Sequence, residues 1–138
     1  MRRWNGWGDE ANDFPLKPDG LAFVRARLGE AAPLPDAPLA AVLATVPASR
    51  LPPHPLVSTD PETRLRHARG QSLPDWLAMR EGAFGVFPDG VAFPQDTRQV
   101  RELLDFCLAN GVEVIPYGGG TSVVGHITPQ ASLRPILT

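Results

Sequence analysis

Three consecutive glycines, Gly118 to Gly120, follow directly on the short apolar run Val112–Tyr117, and two hydroxyl residues, Thr121 and Ser122, follow them. Glycine takes positive φ without a Cβ penalty and lets another molecule come close to the backbone. Successive backbone N–H groups in such a loop can form a concave nest for an anion, commonly a phosphate. The two hydroxyls add donors at the same place. Pro116, Tyr117, Gly118, Gly119, Gly120, Thr121 and Ser122 are therefore the candidate cofactor-binding residues. A plain turn between two strands is the competing reading of the same residues.

Two familiar phosphate loops do not fit. A Walker A loop needs Gly, four residues, then Gly-Lys-Ser/Thr. Gly120 and Gly125 have that gap, but His126 and Ile127 stand where Lys and the hydroxyl belong. No lysine or arginine lies within the loop. A dinucleotide fingerprint needs G-x-G-x-x-G. Gly118 and Gly120 fit, and the third position is Val123.

The preceding residues supply a scaffold. Val91–Pro94 is short and apolar, as a buried strand would be. Asp96 and Gln99 have capping-box-like spacing. Val100, Leu103, Leu104, Cys107 and Leu108 then recur at i, i+3, i+4, i+7 and i+8, which makes one apolar helix face. Gly111 suits the left-handed position after a last helical turn. Strand, helix, strand predicts a βαβ unit with parallel pairing of its two strands. The glycine loop falls at the carboxyl end of the second strand, the edge where open α/β sheets bind ligands.

The stretch Pro88–Ile127, with "PDGVAFPQDTRQV" and "VIPYGGGTSVVG", resembles the first part of the flavin-binding domain of the vanillyl-alcohol oxidase superfamily, also called the p-cresol methylhydroxylase type. Upstream, "RRWNGWGDE" and "RHARGQSLPDWLAMREG" resemble the amino-terminal region of alkyldihydroxyacetonephosphate synthases and their bacterial flavin-oxidase relatives. The resemblance implies FAD as cofactor, with the glycine loop around its pyrophosphate. It implies a flavin-dependent oxidoreductase that takes a hydride from a hydroxy acid or alcohol. An alkylglycerone-phosphate synthase-like transferase is the alternative, and a piece with no activity of its own is a third reading. Some superfamily members attach flavin to a histidine directly after the glycines. Here Thr121 holds that position, so the expectation is noncovalent FAD.

The expected class is α+β: a helical, proline-rich region over residues 1–85, then the first βαβ unit of the flavin domain over 86–138. Of 16 prolines, most precede residue 75, and they limit that region to short helices and extended chain. Helices are expected over Gly20–Leu28, around Leu39–Val46, and over Ser72–Arg80, where Ser72 and Asp75 have cap spacing. The final residues, "ITPQASLRPILT", read as a loop leading into another apolar strand. In the family the flavin domain continues well beyond this length, which implies an amino-terminal piece whose substrate pocket and catalytic residues lie elsewhere. Catalytic residues are thus unknown, a small-molecule substrate belongs to the absent part, and this chain alone should bind FAD weakly or not at all. Uncovered sheet edges offer a surface for a homodimer.

Several function classes are disfavoured. With a net charge of −2 and no basic stripe, nothing points to nucleic acid. No stretch is apolar enough to span a membrane, and Arg2-Arg3 precede no apolar run, so a cytoplasmic location is expected. The single cysteine, Cys107, lies on the apolar helix face and reads as core. His54 and His67 lack partners at metal-ligand spacing and read as structural; no metal is expected. Trp4 and Trp7 read as packing residues, and Arg66 and Arg69 as a solvated face.

Overall fold

The computed structural model describes residues 2–31 and 35–138. Five helices and four two-residue strands follow one another along these residues: α1 (Pro18–Leu28), α2 (Leu39–Leu43), β1 (Val57–Ser58), α3 (Pro61–Arg66), α4 (Leu73–Glu81), β2 (Val91–Ala92), α5 (Thr97–Ala109), β3 (Glu113–Val114) and β4 (Ile136–Leu137). The α+β class expected from the sequence is what the chain adopts.

α5 forms where the apolar period puts it. Asp96 caps it by accepting the Gln99 amide at 2.7 Å, which satisfies one of the unpaired donors of the first turn. Gln99 reaches back to the Gln95 amide at 2.7 Å, one residue before the position a capping box would use. Gly111 takes φ +62° just after the helix, as its place there requires. Only half of the apolar face is covered. Leu103 and Cys107 are buried against Leu51, Val112 and Leu137, whereas Val100, Leu104 and Leu108 stay open. Burial pushes the Cys107 thiol pKa up, in keeping with a core side chain.

The strand pairing departs from the sequence reading at one point. β2 and β3 are not neighbours. β3 pairs in parallel with β4. A parallel bridge, Gly90 to Leu137, sets β4 beside the start of β2 as well. Thr138 donates to the Gly90 carbonyl at 3.0 Å, and Ala92 donates to the Thr138 carbonyl at 2.8 Å. β1 closes the other side, antiparallel to β2 with Val57 opposite Ala92. The order is therefore β1-β2-β4-β3. Ile136 and Leu137 are 1% and 3% exposed, and a central parallel strand is where two consecutive apolar residues are both buried.

The other core cluster belongs to the amino-terminal layer. Val42, Leu65, Ala68, Met79, Phe84 and Phe87 pack together, with Trp4 stacked on Phe84 at 6.3 Å between ring centroids. α4 carries the expected capping box, with Ser72 and Asp75 bonding reciprocally, and ends at Gly82 with φ +73°. α3 has no counterpart in the sequence reading. Its Asp60 cap accepts the Thr63 amide at 2.8 Å, but six residues are too few to show a helical period.

A buried carboxylate joins the two clusters. Asp89 is 2% exposed. It receives Arg50 through Nε at 2.9 Å and Nη2 at 2.7 Å, the Arg50 amide at 3.0 Å and the Ile136 amide at 2.8 Å. Burial pushes its pKa upward, but the Arg50 side chain, the two amides and the Arg50 charge outweigh that and hold it below the usual carboxylate range. Arg50 also donates to the Ser132 and Arg134 carbonyls, so this one pair ties three distant stretches of chain. Arg64, 2% exposed, bridges the Pro88 and Pro47 carbonyls at 2.7 Å each.

Candidate functional site

β3 delivers the chain to the glycine loop, and the loop folds back on its own aromatic residue. Gly118 and Gly120 have φ +60° and +68°. The Gly120 amide closes a turn onto the Tyr117 carbonyl at 3.2 Å. A Cβ on Gly120 would stand 2.5 Å from the Tyr117 ring, so a side chain there cannot coexist with this turn. Gly118 and Gly119 are exposed, and a Cβ on Gly118 would meet nothing within 4 Å. On Gly119 the only near atom among the described residues would be Thr121 Cγ2 at 3.8 Å. One side of the loop is thus closed by Tyr117 and the other is open.

The open side carries unspent donors. Of the five amides from Gly118 to Ser122, only that of Gly120 donates to a protein acceptor among the described residues. Thr121 is exposed as well. Ser122 Oγ lies 3.1 Å from His126 Nδ1. The loop sequence holds no cation, but the fold brings one: Arg2 Nη2 donates to the Gly119 carbonyl at 3.4 Å. Four amides, the Thr121 hydroxyl and a guanidinium beside a surface clear of side chains fit a group bearing two phosphates.

The loop rests on the amino-terminal layer. The Tyr117 hydroxyl lies 3.0 Å from the Arg69 carbonyl and 3.1 Å from the Arg66 carbonyl. The Gln71 amide donates to the Ser122 carbonyl at 2.6 Å. These partners were not legible as such. The upstream stretch carries Arg66 and Arg69, and their side chains are engaged elsewhere. Arg66 donates to Glu62 and to the Arg2 carbonyl. Arg69 donates to the Phe84 carbonyl and faces Asp75 at 3.6 Å. The backbone of this stretch, not its charge, meets the loop.

A cavity of about 680 Å³ opens beside the loop at the carboxyl ends of β2, β3 and β4, with Phe93, Val100, Leu104, Ile115 and Tyr117 in its walls. That is within the range of small-molecule sites. His67 stands at its edge, with its ring 4.8 Å from Tyr117 and 5.3 Å from Phe93, centroid to centroid. Its Nδ1 lies 2.7 Å from the Thr63 carbonyl. Burial lowers the His67 pKa; the Thr63 bond opposes this, and the Arg2 and Arg66 charges reinforce it. His54 is held structurally, accepting the Leu56 amide at 3.2 Å and packing on Phe106. Trp4 is a core contact, while Trp7 is 59% exposed. No helix among the described residues is long and apolar enough to cross a membrane.

Residues 88–133 match the family model described as FAD binding domain. Over 82 residues the chain is 28% identical to the alkyldihydroxyacetonephosphate synthase of Caenorhabditis elegans, covering 59% of this chain and 14% of that protein. It is 33% identical over 75 residues to the synthase of Dictyostelium discoideum, covering 54% of this chain and 12% of the relative. It is 43% identical over 42 residues to a mitochondrial D-lactate dehydrogenase (cytochrome) of Kluyveromyces lactis, covering 30% of this chain and 7% of that one. The chain therefore spans a small part of the curated relatives it matches. A solved structure of alkyldihydroxyacetonephosphate synthase superposes on 99% of this chain and 31% of its own, with TM-score 0.75 and 23% identity, which establishes a shared fold. Residues 88–133 therefore correspond to part of an FAD binding domain, in a chain that shares its fold with alkyldihydroxyacetonephosphate synthase.

Proposed function

We propose that Pro116–Ser122 holds the pyrophosphate of FAD, and that this chain is the amino-terminal part of an FAD-dependent oxidoreductase. The observation that carries the reading is the open face of the loop, where, among the described residues, four amides of Gly118–Ser122 have no protein acceptor and a Cβ on Gly118 would meet nothing within 4 Å. Bound flavin supplies two-electron acceptor chemistry, here toward a hydroxy acid or alcohol whose pocket lies outside this chain. Within the chain, Gly118, Gly119, Thr121 and Ser122 would donate to phosphate oxygens, Arg2 would add charge, and the apolar cavity would offer a wall to a ring system of the cofactor. The flavin is noncovalent, because Thr121 stands directly after the glycines and His126 is turned to Ser122. A cytoplasmic location belongs to the same proposal, with cell fractionation as its check.

A second reading is an alkylglycerone-phosphate synthase-like transferase. It is favoured by the reach of the similarity, which runs over 74–82 residues with the synthases and over 39–42 with the lactate dehydrogenases. Full-length protein reduced under anaerobic conditions by a 2-hydroxy acid supports the oxidoreductase; acyl exchange with a fatty alcohol and no net flavin reduction supports the transferase.

Gly119→Val tests the cofactor site. Gly119 does not have positive φ, and a Cβ there meets only Thr121 at 3.8 Å, so the fold tolerates the change while the valine occupies the open face. Purified full-length variant should be colourless with an unchanged circular dichroism spectrum. Stoichiometric FAD in that variant rejects the assignment. Acid precipitation of the wild-type protein should release all flavin into the supernatant.

A further inference from the structure

We infer that the FAD site is bipartite: the Arg66–Gln71 backbone is a positioning frame for the glycine loop, and Tyr117 is the strut between them. This rests on the pyrophosphate reading of the loop and extends it to residues that touch no cofactor.

Four observations converge on the frame. The Tyr117 hydroxyl reaches two carbonyls of the frame, Arg66 and Arg69, 51 and 48 residues away in sequence. The Gln71 amide donates to the carbonyl of Ser122 at 2.6 Å, so the far end of the loop is pinned as well. Between these two anchors Gly70 is buried, and a Cβ there would overlap the Ser122 carbonyl oxygen. The backbones touch because residue 70 has no side chain. Finally, the ring of Tyr117 fills the space under Gly120, where any side chain would collide with it. The strut thus braces the turn from below while its hydroxyl fastens that turn to the frame.

The frame is itself made rigid. Immediately after Gln71, Ser72 and Asp75 form the capping box of α4, with Ser72 Oγ 2.6 Å from Asp75 Oδ2. Arg69 is fixed at its other end by the Phe84 carbonyl and by Asp75. A glycine-rich loop loses more conformational freedom on ordering than any other segment. Anchors at Tyr117 and Ser122 reduce the ordering that remains when a ligand binds, which is how preorganisation raises affinity. By linkage, a ligand that binds the anchored loop must in turn stabilise the anchors.

The test uses full-length protein and FAD. Amide hydrogen exchange is followed with and without the cofactor in two peptides, one covering residues 66–72 and one covering 116–126. FAD should slow exchange in both. Tyr117→Phe keeps the ring under Gly120 and removes only the hydroxyl. It should weaken FAD binding by about tenfold, the worth of one hydrogen bond, and reduce the FAD-dependent protection of 66–72, where the Gln71 anchor remains, with an unchanged apoprotein circular dichroism spectrum. Gly70→Ala should weaken binding further. Protection at 116–126 without protection at 66–72, or wild-type FAD affinity in Tyr117→Phe, overturns the frame and leaves the pyrophosphate site standing. Absence of protection at 116–126 overturns the site itself and the frame with it.

Discussion

The amino-terminal layer and the sheet are stabilised by different means. In the sheet region one long amphipathic helix, α5, lays Leu103 and Cys107 onto Leu51, Val112 and Leu137. Periodicity alone specifies that contact. In the amino-terminal layer the helices are short, and the cluster around Leu65, Met79 and Phe84 is gathered from α2, α3, α4 and the segment leading to β2. Caps, prolines and buried charges do the specifying there: Asp60 and Ser72 start α3 and α4, and Arg64 binds the Pro47 and Pro88 carbonyls. A region built by periodicity can be read from one element. A region built by caps and buried hydrogen bonds needs partners that are distant in sequence.

The largest expected effect comes from cutting the joint between the two regions. Asp89→Asn removes the charge that answers Arg50 and weakens the link to Ile136, and loss of one partner of a buried pair costs about 3–5 kcal/mol. Arg50 is 44% exposed on its side chain, so the low end applies. Chemical denaturation should show the midpoint falling with two transitions separating. A single unshifted transition rejects the joint. The same carboxylate sets an acid limit. Its folded pKa is depressed, so its contribution is complete above the unfolded value near 3.8 and is lost as pH falls through the folded pKa. Acid unfolding of wild type should therefore be steep below pH 3.8, and that steepness should be absent in Asp89→Asn.

Next in size is a pair of neighbours on α5. Leu103 is 6% exposed and Leu104 is 52% exposed. Leu103→Ala should cost about 2–4 kcal/mol, and Leu104→Ala under about 0.5 kcal/mol. Equal costs would mean that the open half of the helix face is covered in solution.

Smaller again is Ser72→Ala, which removes the α4 cap at about 1 kcal/mol. In the amino-terminal layer that loss should register locally, as faster amide exchange over α4, with the sheet region unchanged. Uniform acceleration across both regions counts against their independence.

The smallest effect is the titration of His67. Its folded pKa is lowered chiefly by burial, so the fold prefers the neutral ring. Between the unfolded value of about 6.5 and the folded pKa, the unfolded chain binds the extra proton, and stability falls as pH drops through that window. His67→Gln should flatten the pH dependence of thermal unfolding below pH 6.5. An unchanged slope removes His67 as its source.

Much of this was legible. The α5 face, its Asp96 cap, the Gly111 stop, the Ser72–Asp75 box and the position of the glycine loop each depend on residues a few places apart, where spacing and backbone chemistry act directly. α3 was not legible, because six residues give no period. Nor was the strand order. β2, α5 and β3 in succession read as adjacent parallel strands, and it took β4 from the end of the chain to separate them.

The sequence by itself determined where the loop is, since the run of glycines and hydroxyls over Gly118–Ser122 is local in the chain. Tertiary structure alone decided what holds that loop and what charge stands beside it. The Arg66 and Arg69 carbonyls, Gly70, Gln71 and Arg2 reach it across some 50 to 117 residues of chain. Contacts made by backbone atoms leave no residue-type signature, because every residue carries the same carbonyl and nearly every one the same amide.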